Sequence, residues 1–138
     1  MTAFRSISLP ADTQYLARLR AFITTVEAAE HLPPKELHAL ELAADEVVTN
    51  VIDHAATTGE IICTCYFELD SHSIVCEISW LSDQPFVPEV FPDTDHIRQR
   101  LEAREPGGLG VFLIHTLVDE IDYDYHDGRS HVRLLKKI

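Results

Sequence analysis

Basic residues are scarce in this chain. Eleven lysines and arginines stand against 23 aspartates and glutamates in 138 residues, a net charge of −12. Nucleic acid and anionic membrane surfaces are bound by replacing counterions with Lys and Arg, so this balance argues against both. Cysteine is equally sparse. Cys63, Cys65 and Cys76 are odd in number and include no CxxC pair, which excludes a disulfide framework and a conventional zinc site. Cys63 and Cys65 lie two apart in an apolar run, the pattern of thiols buried on one face of a strand. Free thiols fit a reducing compartment. No apolar run approaches the ~18 residues of a membrane span, and no signal peptide is legible at the N-terminus. The expected location is cytoplasmic. Apart from His54, the histidines show no HxxxH-type spacing, so they read as surface or packing residues rather than metal ligands.

What remains is ordinary for one globular domain over residues 1–138. Hydrophobic residues make up 46 % and charged residues 25 %, enough for a real core at this length. Phe4–Leu9 reads as a short strand with Ile7 and Leu9 on its apolar face. Ala11–His31 reads as one helix, with Tyr15, Leu16, Leu19, Phe22, Ile23 and Val26 at helical period. Pro33 and Pro34 break it and open the next helix. Two alternating strands follow, Glu60–Leu69 and Ser73–Leu81, with Ile61, Cys63, Cys65 and Phe67 on one face of the first. Ile74, Cys76, Ile78 and Trp80 share a face of the second, and a turn at Asp70-Ser71-His72 joins the two. After a proline-rich stretch, the polar segment Asp93–Pro106 is a candidate lid. Two closing strands, Glu120–Tyr125 and His131–Lys136, are joined by a turn at Asp127-Gly128. The pattern predicts an α/β two-layer sandwich, with a mixed, mostly antiparallel sheet and helices on one face.

Two stretches bear on chemistry. Leu37–Ala55 predicts a long helix whose stripe of Leu40, Ala44, Val47, Val48, Val51 and Ala55 faces a core. Glu46 and Asn50 border that stripe four residues apart, one above the other, and His54 continues the row. Glu and Asn in that relation suit a base and a metal ligand, although an amphipathic core helix with a polar edge is the commoner source of such a pattern and the helix alone does not choose. Three of the five glycines fall in Gly107-Gly108-Leu109-Gly110, just before a helix. There, backbone N–H groups can approach an anion closely. Neither a Walker loop nor a dinucleotide fingerprint is present.

Taken together, EVVTNVIDHA, Pro85-Phe86-x-Pro88, GGLGVFLIHTLVDEI and the close DGRSHVRLLKK resemble the anti-sigma-factor serine kinases. These are small members of the nucleotide-binding superfamily with the Bergerat-type fold that includes gyrase and the histidine kinases. The resemblance implies ATP and Mg²⁺ as cofactors. Asn50 would hold Mg²⁺ and Glu46 would accept the proton of an attacking serine. Gly107, Gly108 and Gly110, with the amides of Leu109 and Val111, would cradle the phosphates. The partners it implies are an antagonist protein carrying the serine, and a sigma factor or other regulator, with homodimerisation common. One departure stands out. The family usually has Asp-x-Gly after the second strand of the pair, the Asp bonding adenine, whereas the aligned places here hold Leu81 and Asp83. Asp83 could substitute if the loop shifts. Two readings follow: an ATP-dependent protein-serine kinase, or a partner-switching module that no longer binds nucleotide.

Overall fold

The structure is a computed structural model that describes residues 4–54, 59–83 and 114–138. The segments 84–113 and 55–58 lie outside it, and with them the expected lid, the glycine-rich loop, Pro85-Phe86-x-Pro88 and Ala55.

The strands are β1 (Arg5–Pro10), β2 (Glu60–Glu68), β3 (Ser73–Leu81), β4 (Glu120–His126) and β5 (Arg129–Lys137). They form one sheet in the order β1-β2-β3-β5-β4. Every pairing is antiparallel, more regular than the mixed sheet expected. The β4–β5 hairpin turns on Asp127 and Gly128 at φ 52° and 76°. Positive φ at both central residues matches the right-handed twist of the flanking strands and explains the Asp-Gly pair.

Helices α1 (Leu16–Thr25) and α2 (Pro34–His54) pack on one face. The single helix expected over Ala11–His31 is instead three pieces: a 3-10 turn at Thr13–Tyr15, α1, and a second 3-10 turn at Glu27–His31. Asp12 caps the first turn, its Oδ1 accepting from the Gln14 amide at 3.0 Å. The far end of α1 is set by its threonines. The Thr24 and Thr25 hydroxyls donate back to the carbonyls of Arg20 (3.0 Å) and Ala21 (2.6 Å). Val26 then leaves the helix at ψ 153°. Hydroxyl competition for helix carbonyls bends or ends helices, and helical periodicity alone does not register it. The apolar stripe survives the division: Leu19, Ile23 and Val26 are buried, with Tyr15, Leu16 and Phe22 packed against the same core.

Pro34 is the first residue of α2, where its missing N–H is no loss. Leu40, Ala43, Ala44, Val47, Val48 and Val51 are buried between α2 and the sheet. They meet Ile61, Cys63, Cys65, Ile74, Cys76, Ile78 and Trp80 from the inner face of β2 and β3, so the period-2 alternation holds. Lys136 on β5 ties the layers together. Its ammonium donates to the Leu117 carbonyl at 2.7 Å and pairs with Glu36 of α2 at 3.1 Å.

The outer face of the sheet is mostly polar. Arg133 there pairs with Glu68 and lies 3.8 Å from both Glu77 and Asp122. Glu77 also accepts from the Tyr66 hydroxyl at 2.9 Å. Among the described residues, no helix is long and apolar enough to cross a membrane.

Candidate functional site

The sequence placed the site at two ends, a carboxylate–amide pair on α2 and a base-binding end where β3 stops. The described residues hold the first and part of the second.

Glu46 and Asn50 fall one turn apart on α2, both half-buried at the edge of the stripe that packs on the sheet. Burial, and secondarily the neighbouring Asp45 carboxylate, hold Glu46 above the ordinary carboxylate range. Partial desolvation disfavours the charged form, which makes the carboxylate a stronger base than one in water. Asp45 itself is engaged by Arg20 of α1, guanidinium to carboxylate at 3.0 Å. That ion pair joins the two helices one residue away from Glu46. His54 is the last residue of α2.

The end of β3 follows the alternation expected of it. Trp80 is wholly buried in the helix-side core and lies opposite Ser130. Alternation then turns Leu81 outward. It is 54 % exposed, its Cδ1 lying 4.0 Å from where a Cβ on Gly59 would stand. Leu81 therefore does not enter the layer between sheet and helices; the side chain that does so at this end is Trp80. The signal was in the sequence: once Ile74, Cys76 and Ile78 face inward, Trp80 must follow and Leu81 cannot.

Beyond Leu81 the backbone is pinned to the β4–β5 hairpin. The Ser82 amide donates to the Gly128 carbonyl at 2.9 Å, and the Tyr125 hydroxyl donates to the Ser82 carbonyl at 3.0 Å. Asp83 follows as an exposed residue just past that anchor. It is the one carboxylate among the described residues between the end of β3 and residue 84.

Sequence reasoning missed Ser130. Its hydroxyl is buried, 1 % exposed as a residue, and has no hydrogen-bond partner among the described residues. It shares the inner face with Trp80 through their direct cross-strand pairing. A buried unpartnered hydroxyl costs free energy unless something bonds it, so it marks a place where a polar group of a ligand would be welcome. Only the strand register, linking Ser130 to Trp80, could have revealed it. Two cavities bounded by described residues, of about 480 and 200 Å³, are lined by residues of 115–122 and by outer-face residues around Arg133. Neither touches α2. Gly107, Gly108, Leu109, Gly110 and Val111 lie outside the described residues.

Known proteins fit this arrangement. The family described as "Histidine kinase-like ATPase domain" matches residues 9–136. Serine-protein kinase RsbW of Listeria innocua is 25 % identical over 130 residues, which is 92 % of this chain and 83 % of the relative. Serine-protein kinase RsbW of Staphylococcus aureus is 27 % identical over 125 residues, covering 86 % and 77 %. The crystal structure of the RsbU and RsbW domains of Rv1364c from Mycobacterium tuberculosis superposes with a TM-score of 0.67 at 15 % identity. That likeness bears on the fold alone. It covers 98 % of this chain and 32 % of the neighbour, so the present chain spans about a third of that one. The family match runs from the last residues of β1 almost to the end of β5, through both helices and strands β2, β3 and β4. The chain belongs to the histidine kinase-like ATPase domain family.

Proposed function

We propose that this protein binds ATP with Mg²⁺ and transfers a phosphoryl group to a serine hydroxyl of an antagonist protein, acting as an anti-sigma-factor-like regulator in a partner-switching pathway. The observation that carries the reading is the half-buried Glu46–Asn50 pair, one helical turn apart, with Glu46 made more basic by burial. The serine-protein kinase relatives support the reaction class. The cytoplasm, where free thiols persist, is the setting in which it would work.

The residues present fit the cofactor. Asn50 offers a neutral carboxamide oxygen, a hard donor of the kind Mg²⁺ accepts alongside phosphate oxygens and water. The buried Ser130 hydroxyl, unpartnered among the described residues, offers a donor and acceptor to the base. Gly107, Gly108, Leu109, Gly110 and Val111 would supply amides to the phosphates by their place in the sequence. Mg²⁺–ATP, when bound, supplies the transferable phosphoryl group and the charge that neutralises it. The chain's own part is positioning and proton transfer, which is most of what phosphoryl transfer requires of a protein. Glu46 accepts the serine proton at its carboxylate as the hydroxyl oxygen attacks. Asn50, on the same helix, would hold the metal through its carboxamide oxygen.

A second reading is favoured by one observation. The place aligned with the family's adenine-bonding Asp holds Leu81, an exposed apolar side chain that accepts no hydrogen bond. A site that loses its hydrogen-bond acceptor for the base can lose on the order of 10⁴ in discrimination. The chain would then switch partners by protein competition alone. Calorimetric titration with Mg-ATP, with Asn50→Ala as control, separates the two. Binding that the substitution abolishes upholds the kinase reading. Its absence leaves the binding module.

A further inference from the structure

The sheet buries a feature that the phosphoryl-transfer reading does not use. Cys63 and Cys65 point inward from β2, and Cys76 points inward from β3 directly opposite Cys65. The three sulfur atoms lie within 4.8 Å of one another, and Cys65 Sγ and Cys76 Sγ are 2.8 Å apart. All three residues are 1 % exposed or less, and none forms a disulfide. Among the described residues this is the one group of three potential metal ligands whose donor atoms converge in this way.

We propose that Cys63, Cys65 and Cys76 form a binding site for a soft, three-coordinate metal ion, Cu(I) being the class that fits. Three arguments lead there. The donor set is sulfur only, and thiol sulfur selects soft ions such as Cu(I) over Mg²⁺ or Ca²⁺. The donors are three and not four. Zinc in a structural site takes four ligands and in an open site keeps a water, and the apolar surroundings of Ile61, Ile78 and Trp80 offer neither. Cu(I) is satisfied by three sulfurs in a plane. The strand register also fixes the triangle: an i, i+2 pair on one strand and a cross-strand partner on the next need only side-chain rotation to spread the close Cys65–Cys76 contact around a central ion.

The proton balance is also workable in a dry core. Exchange of a solvated cuprous ion for one thiol proton, Cu⁺ + Cys63–SH → Cys63–S–Cu + H⁺, forms one sulfur–copper bond, breaks one S–H bond and changes no oxidation state. The product carries no net charge, and the Cys65 and Cys76 sulfurs complete the coordination. Burial does not bar entry, because a metal can be taken up as the sheet closes; metal binding is commonly coupled to folding.

The test uses the full chain, refolded and titrated anaerobically with Cu(I) held by bicinchoninate as competing chelator. The expected result is one equivalent of Cu(I) withdrawn from the chelator, near-ultraviolet sulfur-to-copper absorption, and an X-ray absorption edge whose first shell is sulfur only. Zn²⁺ offered at the same concentration is expected to be left behind. The Cys63→Ala, Cys65→Ala, Cys76→Ala triple variant should lose the equivalent, its fold being checked by circular dichroism. A first shell of nitrogen or oxygen in the wild type would place the ion on histidines and overturn the proposal without reference to any variant. So would failure to compete with the chelator, or retention of the full equivalent by a folded triple variant.

Discussion

Replacing Glu46 by Gln is expected to push activity and stability in opposite directions. Glu46 is held above the ordinary carboxylate range by burial and by Asp45, so the fold favours its protonated form. The stability this contributes is fully present below the carboxylate's unfolded pKa and is lost as pH rises through the raised folded value. At pH 7 the wild type therefore carries a charge that it would hold more cheaply unfolded, whereas Gln is neutral at every pH. One unit of pKa shift corresponds to about 1.4 kcal/mol. The side chain is only half-buried and solvent screens part of the effect, leaving under ~1 kcal/mol. In a domain of this length that is a rise in Tm of roughly 1–3 °C. Thermal scans of both proteins at a series of pH values should converge near pH 4 and separate toward pH 7, with the variant the more stable. Phosphorylation of a cognate antagonist should meanwhile fall by on the order of 10²–10⁴, the usual worth of a positioned base. A pH-independent Tm difference, or a variant less stable at pH 7, refutes the burial argument. Unchanged phosphotransfer refutes the assignment of the base.

Other outcomes follow from single contacts. Ser130→Ala removes a buried hydroxyl that has no partner among the described residues, so it should leave Tm unchanged or slightly higher while weakening Mg-ATP binding several-fold in calorimetry. Leu40→Ala, at a position 0 % exposed under α2, should cost about 2–5 kcal/mol in urea unfolding. Arg133→Met should cost roughly 1 kcal/mol at low salt, because it leaves Glu68, Glu77 and Asp122 without their shared cation; the difference should shrink at high salt. Tyr123, pushed up to about 12 by burial, should ionise late in a spectrophotometric titration, and Tyr123→Phe should remove that late step.

The parts of the fold legible in the sequence were those with one dominant period. The apolar stripe of α2 and the inward alternation of β2 and β3 stand as read, because each element buries one face against the same core. The Asp127-Gly128 turn was equally plain, since its backbone requires positive φ at both residues. The division of the segment Ala11–His31 into three pieces was not legible. It depends on two threonine hydroxyls winning carbonyls from the helix, a contest in which helical period gives no warning. Of the candidate site, Glu46 and Asn50 lie one turn apart on α2 as their spacing predicts, while spacing alone did not separate a site from the polar edge of an amphipathic core helix. Trp80 was read as an inward residue of β3 from the strand's alternation, and it is buried in the core. Ser130 was beyond reach, since only the cross-strand register makes it the neighbour of Trp80.

The order β1-β2-β3-β5-β4 also separates the length of one connection from the stability of the domain. Residues 82–119 begin at a strand paired to β5 and end at a strand paired to β5. Their two ends are thus fixed by the sheet, whatever their number. For a flexible closed segment, doubling the length costs only ~0.6 kcal/mol. A change in the number of residues between Asp83 and Ile114 is therefore expected to cost the domain little, whereas loss of the Ile114 or Val118 side chain, both buried in the core, would cost it more.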